Sequence, residues 1–399
     1  MPPRIEHLGV AVRDAGAALD LYERLFGYRP YKRERVEREG VETVFLDAGG
    51  AKVELLEATR PDSPIAQFIE KRGEGLHHVA FEVEDVHRTM SELRERGFRL
   101  LNDAPKRGAD EKLIFFVHPK SAGGVLVEFC QRAPEPLEPA FAPFRDGRVA
   151  YSLRGPESAP PLLVLHGALG STELETRRLL PAWEPHFRTV AVDFPAHGRS
   201  DAFEGEALTM ELFAEGALAV LDHLGIERAH AFGFSMGAVA VLYLAHHHAD
   251  RLGRIALLGA NVQWDEAEAR QMTRGMNPEA MEGLAPRWAE RLRHTHGADR
   301  WRALAHRMIA FTNALPQRRV ADEDLAAIRH PALVAAGDAD RYFRIEHALN
   351  LWRQMPNAQL AVLPGLDHPI QHVPVDRFGG MVADFLQAEE AEPARTRGV

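Results

Sequence analysis

The chain has 399 residues, 45% of them hydrophobic, and a formal net charge of −10, so two domains with separate cores are expected and a general footprint for nucleic acid or an anionic membrane is excluded. A lone cysteine, Cys130, excludes an internal disulfide framework. The opening MPPRIEHLGV lacks the basic and apolar regions of a secretion signal, and the longest apolar stretch, AFGFSMGAVAVLYLA, is too short and glycine-broken for a membrane span; a cytoplasmic protein acting on small molecules is expected.

The first predicted element is a strand, IEHLGVAV, followed by a helix that Asp14 caps, with Ala18, Tyr22 and Leu25 on one face and Gly27 at its end. Two strands follow, TVFLDAGG and AKVELLEA. The unit then recurs: LHHVAFEV, a helix capped by Asp85 with Val86, Met90 and Leu93 on one face and Gly97 closing it, then LIFFVHP and GVLVEFCQ. Residues 1–132 are therefore predicted as an α+β domain of two βαβββ modules.

Side chains alternate along a strand, so the repeat assigns faces. Aligning the modules sets Leu8, Val10 and Val12 against Val79, Phe81 and Val83, which pack beneath the helices, and leaves His7 and His78 on the opposite face. His77 aligns with Glu6 and is expected on the face of Val79. The closing strands match likewise, Glu54 in KVELL with Glu128 in LVEF. Each of the four, taken singly, reads as a satisfied or solvated side chain. Together on a concave face the carboxylates would repel, and two imidazoles with two carboxylates suit a divalent cation such as cobalt, zinc, manganese, nickel or magnesium, with positions open for water or substrate.

Through IEHLGVAV, GVETVFL, VELLEATRPDSPIAQFIEKRGEGLHHVAFEVEDV and HPKSAGGVLVEFCQ, about residues 4 to 131, the chain resembles the methylmalonyl-CoA epimerases of the vicinal oxygen chelate superfamily. The resemblance implies metal ligation by His7, Glu54, His78 and Glu128, a catalytic base at Glu42, an acyl-CoA substrate and a homodimer formed through this domain. Removing a proton between a thioester carbonyl and a carboxylate needs the enolate oxygen stabilised, which a Lewis-acidic cation can do. In HPKSAGG, Lys120 is a candidate for a CoA phosphate, against the alternative of an exposed loop lysine.

The proline-rich APEPLEPAFAPFRD marks a linker over 133–145, since repeated prolines preclude a helix and a central strand. After it, apolar runs alternate with helical patterns over 146–387, as in an α/β domain with a mostly parallel sheet. PLLVLHGALGS ends a strand at His166 and Gly167. GFSMG, Gly233 to Gly237, fits G-x-S-x-G between a strand and a helix, with Ser235 as nucleophile and the backbone amides of Ala168 and Met236 facing a developing oxyanion. HHH, His246 to His248, reads as a solvated helix end rather than a metal cluster. Residues from about 263 to 328, including Trp264, Met272, Met276 and Trp288, read as a helical cap whose aromatic and methionine side chains form its own core. PALVAAGDAD ends a strand with Asp338 and Asp340, and AQLAVLPGLDHPIQH ends the next with His368 and His372. The order nucleophile, acid, histidine resembles the α/β-hydrolase family over about 146 to 387, which implies Asp340 as the acid and His368 as the base, with Asp338 and His372 as alternatives. The tail, 388–399, is expected to be disordered.

The whole reads as a bifunctional enzyme: metal-dependent epimerisation of methylmalonyl-CoA or a related 2-substituted acyl-CoA, and hydrolysis of an ester or thioester by a serine nucleophile. One rival is a ring-cleaving dioxygenase fused to the hydrolase of its product, since two histidines and a glutamate also make a non-haem iron triad. Another is a non-catalytic ligand-binding module joined to the hydrolase, which a base at Glu42 argues against.

Overall fold

The computed structural model describes residues 4–83, 85–133, 137–318 and 321–388; the tail beyond 388 and the proline-rich stretch 134–136 lie outside the described residues. The chain divides into two compact units, Met1–Glu135 and Pro136–Val399.

In the first unit, β1 (Arg4–Val12), α1 (Ala15–Phe26), β2 (Pro30–Val36), β3 (Val41–Asp47) and β4 (Lys52–Ala58) form one module. After α2 (Pro64–Arg72), a second follows: β5 (Gly75–Glu82), α3 (Val86–Glu95), β6 (Lys106–Arg107), β7 (Lys112–Val117) and β8 (Val127–Arg132). The eight strands make one sheet, ordered β2-β3-β4-β1-β5-β8-β7-β6. β1 and β5 pair antiparallel at its centre, and each is flanked by the parallel last strand of its own module. Asp14 and Asp85 cap α1 and α3 as predicted, each accepting backbone N–H bonds from the first turn. Val10, Val12, Val44, Leu46, Val53 and Leu55 pack beneath α1, and Val83, Phe115, Val117 and Phe129 beneath α3, which leaves the other face of the sheet free to line a cavity.

Strict alternation fails at two matched points. Between Ile5 and His7 the β1 strand carries one residue more than β5, and between Gly9 and Val10 the surplus lies on β5. The extra residues are Glu6 and His77, the pair that the repeat aligns. A bulge turns its surplus side chain away from the regular face. Glu6 and His77 accordingly join His7 and His78 at the cavity instead of sharing the face of Val79 as expected.

In the second unit, β9 (Ala140–Phe144), β10 (Gly147–Arg154), β11 (Pro161–Leu165), α4 (Leu180–Trp183), β12 (Arg188–Val192), α5 (Met210–His223), β13 (Ala229–Phe234), α6 (Met236–His247) and β14 (Leu252–Leu258) lead to the cap helices α7 (Glu266–Met276), α8 (Pro278–Leu284), α9 (Pro286–His296), α10 (Arg300–Ala314) and α11 (Asp322–Ala327). The chain returns through β15 (Ala332–Gly337), α12 (Ile345–Gln354), β16 (Ala358–Leu363) and α13 (Val375–Gln387). The sheet runs β16-β15-β14-β13-β11-β12-β10-β9, parallel from β16 to β12. The predicted linker over 133–145 needs correction, because Ala140–Phe144 pairs with β10 as the outermost strand. Pro143 is tolerated there because an edge strand has one side without a ladder to complete. No helix among the described residues is long and apolar enough to cross a membrane.

Candidate active sites

The geometry of the first site grows from the central strand pair. His7 and His78 project from β1 and β5, Glu54 from β4 and Glu128 from β8, all nearly fully buried. His7 Nε2 lies 3.0 Å from His78 Nε2 and 3.3 Å from Glu54 Oε2, and His78 Nε2 lies 3.5 Å from that same oxygen. Glu128 stands slightly farther off, 3.9 Å from His7 and 3.7 Å from His78. Gly9 is required beside them, since a Cβ there would overlap the His78 ring.

The electrostatics fit a cation. Burial opposes charging His7, yet its contacts with Glu54, Glu6 and Glu128 raise its pKa to about 10, while burial that would raise Glu54 is overcome by the two histidines, which pull it down to about 2. The pocket thus stabilises positive charge where four donor atoms converge, and His7, Glu54 and His78 have the reach to share one ion. On its far side, His7 Nδ1 donates to Glu6 Oε2 at 2.6 Å, Lys52 donates to Glu6 Oε1 at 2.6 Å, and Lys112 forms an ion pair with that oxygen at 3.1 Å. This chain of contacts fixes the His7 ring so that Nε2 faces the other donors. The cavity around them, about 350 Å³, is also lined by Arg38, Lys106 and Arg107.

One expectation fails here. Glu42 does not reach the cavity: Val41, Thr43 and Phe45 line it, whereas Glu42 shares the face of Val44 and Leu46 and pairs with Arg33 at 3.1 Å. The period of two along β3 makes the difference. Lys120 sits exposed in a short turn, Pro119–Ser121, and is not among the residues lining the cavity.

The second site forms at the ends of parallel strands. Ser235, between β13 and α6, has φ of +54°, a strained backbone that the flanking glycines permit. A Cβ on Gly233 would overlap the Gly237 carbonyl, and one on Gly237 would overlap the carbonyl of Leu165. His368 Nδ1 donates to Asp340 Oδ2 at 2.8 Å, while Asp340 Oδ1 accepts from the amides of Tyr342 and Phe343. The His368 ring is stacked between Phe234 and Phe343, with centroids 5.1 and 4.5 Å away. Asp338 instead accepts from Gly365 N–H and His372 pairs with Asp367, so neither alternative replaces this pair.

Ser235, Met236, Ala168 and His368 line one cavity of about 450 Å³. Trp264, Met272, Met276 and Trp288, expected to form the core of the cap, line it too. Met236 opens α6, where the first helical amides have no intrahelical acceptor and suit an oxyanion. Ala168 precedes Leu169, held at φ +55°. The Leu169 carbonyl accepts from His296 Nε2 at 2.9 Å, and His296 Nδ1 accepts from Gly198 N–H at 2.8 Å, so one imidazole at the end of α9 is tied to the loop that carries Ala168. The histidine run 246–248 ends α6 and stays partly exposed, in line with its solvated reading.

Burial lowers the pKa of His166, His197 and His296, the last to about 4. The unfolded chain then binds more protons than the fold below about pH 6.5, and stability is lost as pH falls, for His296 through the window from 6.5 to about 4, by up to about 1.4 kcal/mol per pH unit. Thermal melts at pH 7 and pH 5 check this: the drop in midpoint is expected to be smaller in His296→Gln, and an equal drop in both proteins would refute it.

Sequence reading missed Glu6 and His77 because a bulge leaves no mark in the hydrophobic period. It missed His296 because a lone histidine in a polar helix carries no signal.

Residues 6–116 match the family model described as Glyoxalase/Bleomycin resistance protein/Dioxygenase superfamily, and residues 160–322 match the alpha/beta hydrolase fold. The ethylmalonyl-CoA/methylmalonyl-CoA epimerase of Cereibacter sphaeroides is 38% identical over 130 residues, 32% of this chain and 97% of that protein. The 2-hydroxy-6-oxononadienedioate/2-hydroxy-6-oxononatrienedioate hydrolase of Paraburkholderia phymatum is 29% identical over 223 residues, 50% of this chain and 76% of that protein. A solved hydrolase from Pseudomonas aeruginosa PA01 superposes with a TM-score of 0.53 at 25% identity, covering 63% of this chain and 99% of that one.

Proposed function

Because this chain belongs to the glyoxalase/bleomycin resistance protein/dioxygenase superfamily through its N-terminal unit and carries an α/β-hydrolase fold after it, we propose that it is a bifunctional enzyme. The N-terminal unit exchanges the α-proton of methylmalonyl-CoA or a related 2-substituted acyl-CoA, and the C-terminal unit hydrolyses an ester or thioester through Ser235. The observation that carries the first half is the convergence of His7, Glu54, His78 and Glu128 from two modules onto one point.

A divalent cation held by His7, Glu54 and His78, whose donor atoms lie within reach of one ion, would supply Lewis acidity toward an enolate oxygen. Glu6 orients His7, and the lysines and arginines lining the cavity suit a substrate bearing a carboxylate and phosphates. With Glu42 turned away, the proton must be taken by a carboxylate that faces the cavity. Glu128 is the one the geometry favours, because its oxygens stand farther from the imidazoles than that of Glu54. A mere binding module has no need of this carboxylate.

In the hydrolase half, Asp340 holds His368 in the tautomer whose Nε2 can take the Ser235 proton, and the amides of Ala168 and Met236 receive the oxyanion. A second reading draws on the P. phymatum relative, named for a 6-oxo dienedioate: a hydrolase of ring-cleavage products. The lining of five methionines and six phenylalanine, tyrosine and tryptophan residues supports a largely apolar acyl group.

Incubation with methylmalonyl-CoA in deuterated water, following α-carbon label and free CoA together, tests the proposal. Glu42→Ala is expected to leave label uptake within about twofold of wild type, as for a surface change. A loss of uptake in that variant, with the fold intact, would return the base to Glu42. Turnover of a 6-oxo dienedioate without cleavage of any ester or thioester would favour the second reading.

A further inference from the structure

The proton-transfer set of the hydrolase leaves a buried acid at the cavity wall unused. Glu175, in the turn of helix at Thr172–Thr176 that follows the oxyanion loop, lines the same cavity as Ser235. Its Oε2 accepts from Gly167 N–H at 2.6 Å. The loop closes tightly around the carboxyl group, since a Cβ on Gly170 would overlap it. Among the described residues no lysine, arginine or histidine pairs with Glu175, and the Gly167 amide is its one hydrogen-bond partner. A carboxyl group buried without a cation is driven toward its neutral form, because the charged form loses its hydration and gains one amide in return; burial raises the Glu175 pKa to about 8. A neutral carboxyl donates a hydrogen bond, which a carboxylate cannot do. The cavity is lined largely by apolar side chains, among them Leu169, Phe234 and Met236, with Arg291, Thr312, Gln371 and His372 as its other polar groups outside the Ser235–His368 pair.

We propose that Glu175 is a specificity-determining acid of the hydrolase, donating a hydrogen bond to a neutral oxygen, hydroxyl or keto, that the acyl group carries beside its scissile carbonyl. The inference rests on the serine-hydrolase reading of this site. The substrate class is thus a 3-hydroxyacyl or 3-oxoacyl ester or thioester. Glutamine has the same shape and keeps a donor; leucine keeps the volume and removes it.

The test compares 4-nitrophenyl 3-hydroxybutyrate with 4-nitrophenyl butyrate on the full chain, in wild type, Glu175→Gln, Glu175→Leu and Ser235→Ala. The wild type is expected to prefer the hydroxylated ester by about tenfold in kcat/KM, the worth of one good hydrogen bond. Glu175→Gln is expected to keep that preference within about threefold, and Glu175→Leu to abolish it, read as the ratio of the two kcat/KM values within each variant. Equal rates for the two esters in the wild type, or a preference that survives in Glu175→Leu, would overturn the proposal. So would a Glu175→Gln protein that takes up a fluorophosphonate at Ser235 yet has lost the preference. Activity retained in Ser235→Ala would instead defeat the hydrolase reading beneath it. If Glu175→Leu fails to fold, the wild-type preference and its retention in Glu175→Gln decide.

Discussion

Replacing Ser235 by alanine is expected to lower ester hydrolysis by about 10⁵-fold in kcat while leaving α-proton exchange unchanged. The magnitude follows from the division of labour at the elbow. Without the hydroxyl, no acyl-enzyme forms, and the amides of the oxyanion loop can only assist attack by water. His368→Ala is expected to fall nearly as far, and the double variant no farther than Ser235→Ala, because the pair acts as one unit. Additive losses in the double variant would mean that the two side chains work separately. Asp338→Ala is the internal control: its carboxylate serves the Gly365 amide, so hydrolysis should persist.

The second large effect is expected at the other end of the chain. His78→Ala should lower α-proton exchange by about a hundredfold or more, the scale of losing one preorganised electrostatic element, and should reduce cobalt or zinc retained after gel filtration to below one ion per chain. Metal content is the decisive readout, because it does not depend on the right acyl-CoA having been chosen. Full retention of metal in both His78→Ala and His7→Ala would mean that the convergent donors are not where an ion binds. Hydrolysis of a 4-nitrophenyl ester should be untouched in either variant, as Ser235 and the His368–Asp340 pair lie in a separate compact unit.

Much of this was legible in the residues, for identifiable physical reasons. The repeat exposed the four donors because strand periodicity and helix caps recur at matched positions, and GFSMG exposed the elbow because only glycine fits against the neighbouring carbonyls. What was hidden depended on backbone irregularity or on distant packing. Glu42 was chosen through resemblance although its own parity on β3 matches Val44 and Leu46, which pack beneath α1. That parity was available in the sequence. Glu6 and His77 were assigned by strict alternation, and only hydrogen-bond register reveals that both are surplus residues. The outer strand Ala140–Phe144 was obscured by proline, whose cost vanishes at a sheet edge.

The matched surplus residues carry a consequence for how such a pocket can arise. An irregularity repeated at the same alignment position in both halves sits astride an approximate two-fold axis, so each half brings one imidazole, one carboxylate and one kink. A polypeptide comprising the first half alone, if it associates with itself about that axis, would assemble a complete donor set from two identical chains. Tandem fusion would then free the copies to diverge, which is what the unlike partners Glu6 and His77 record.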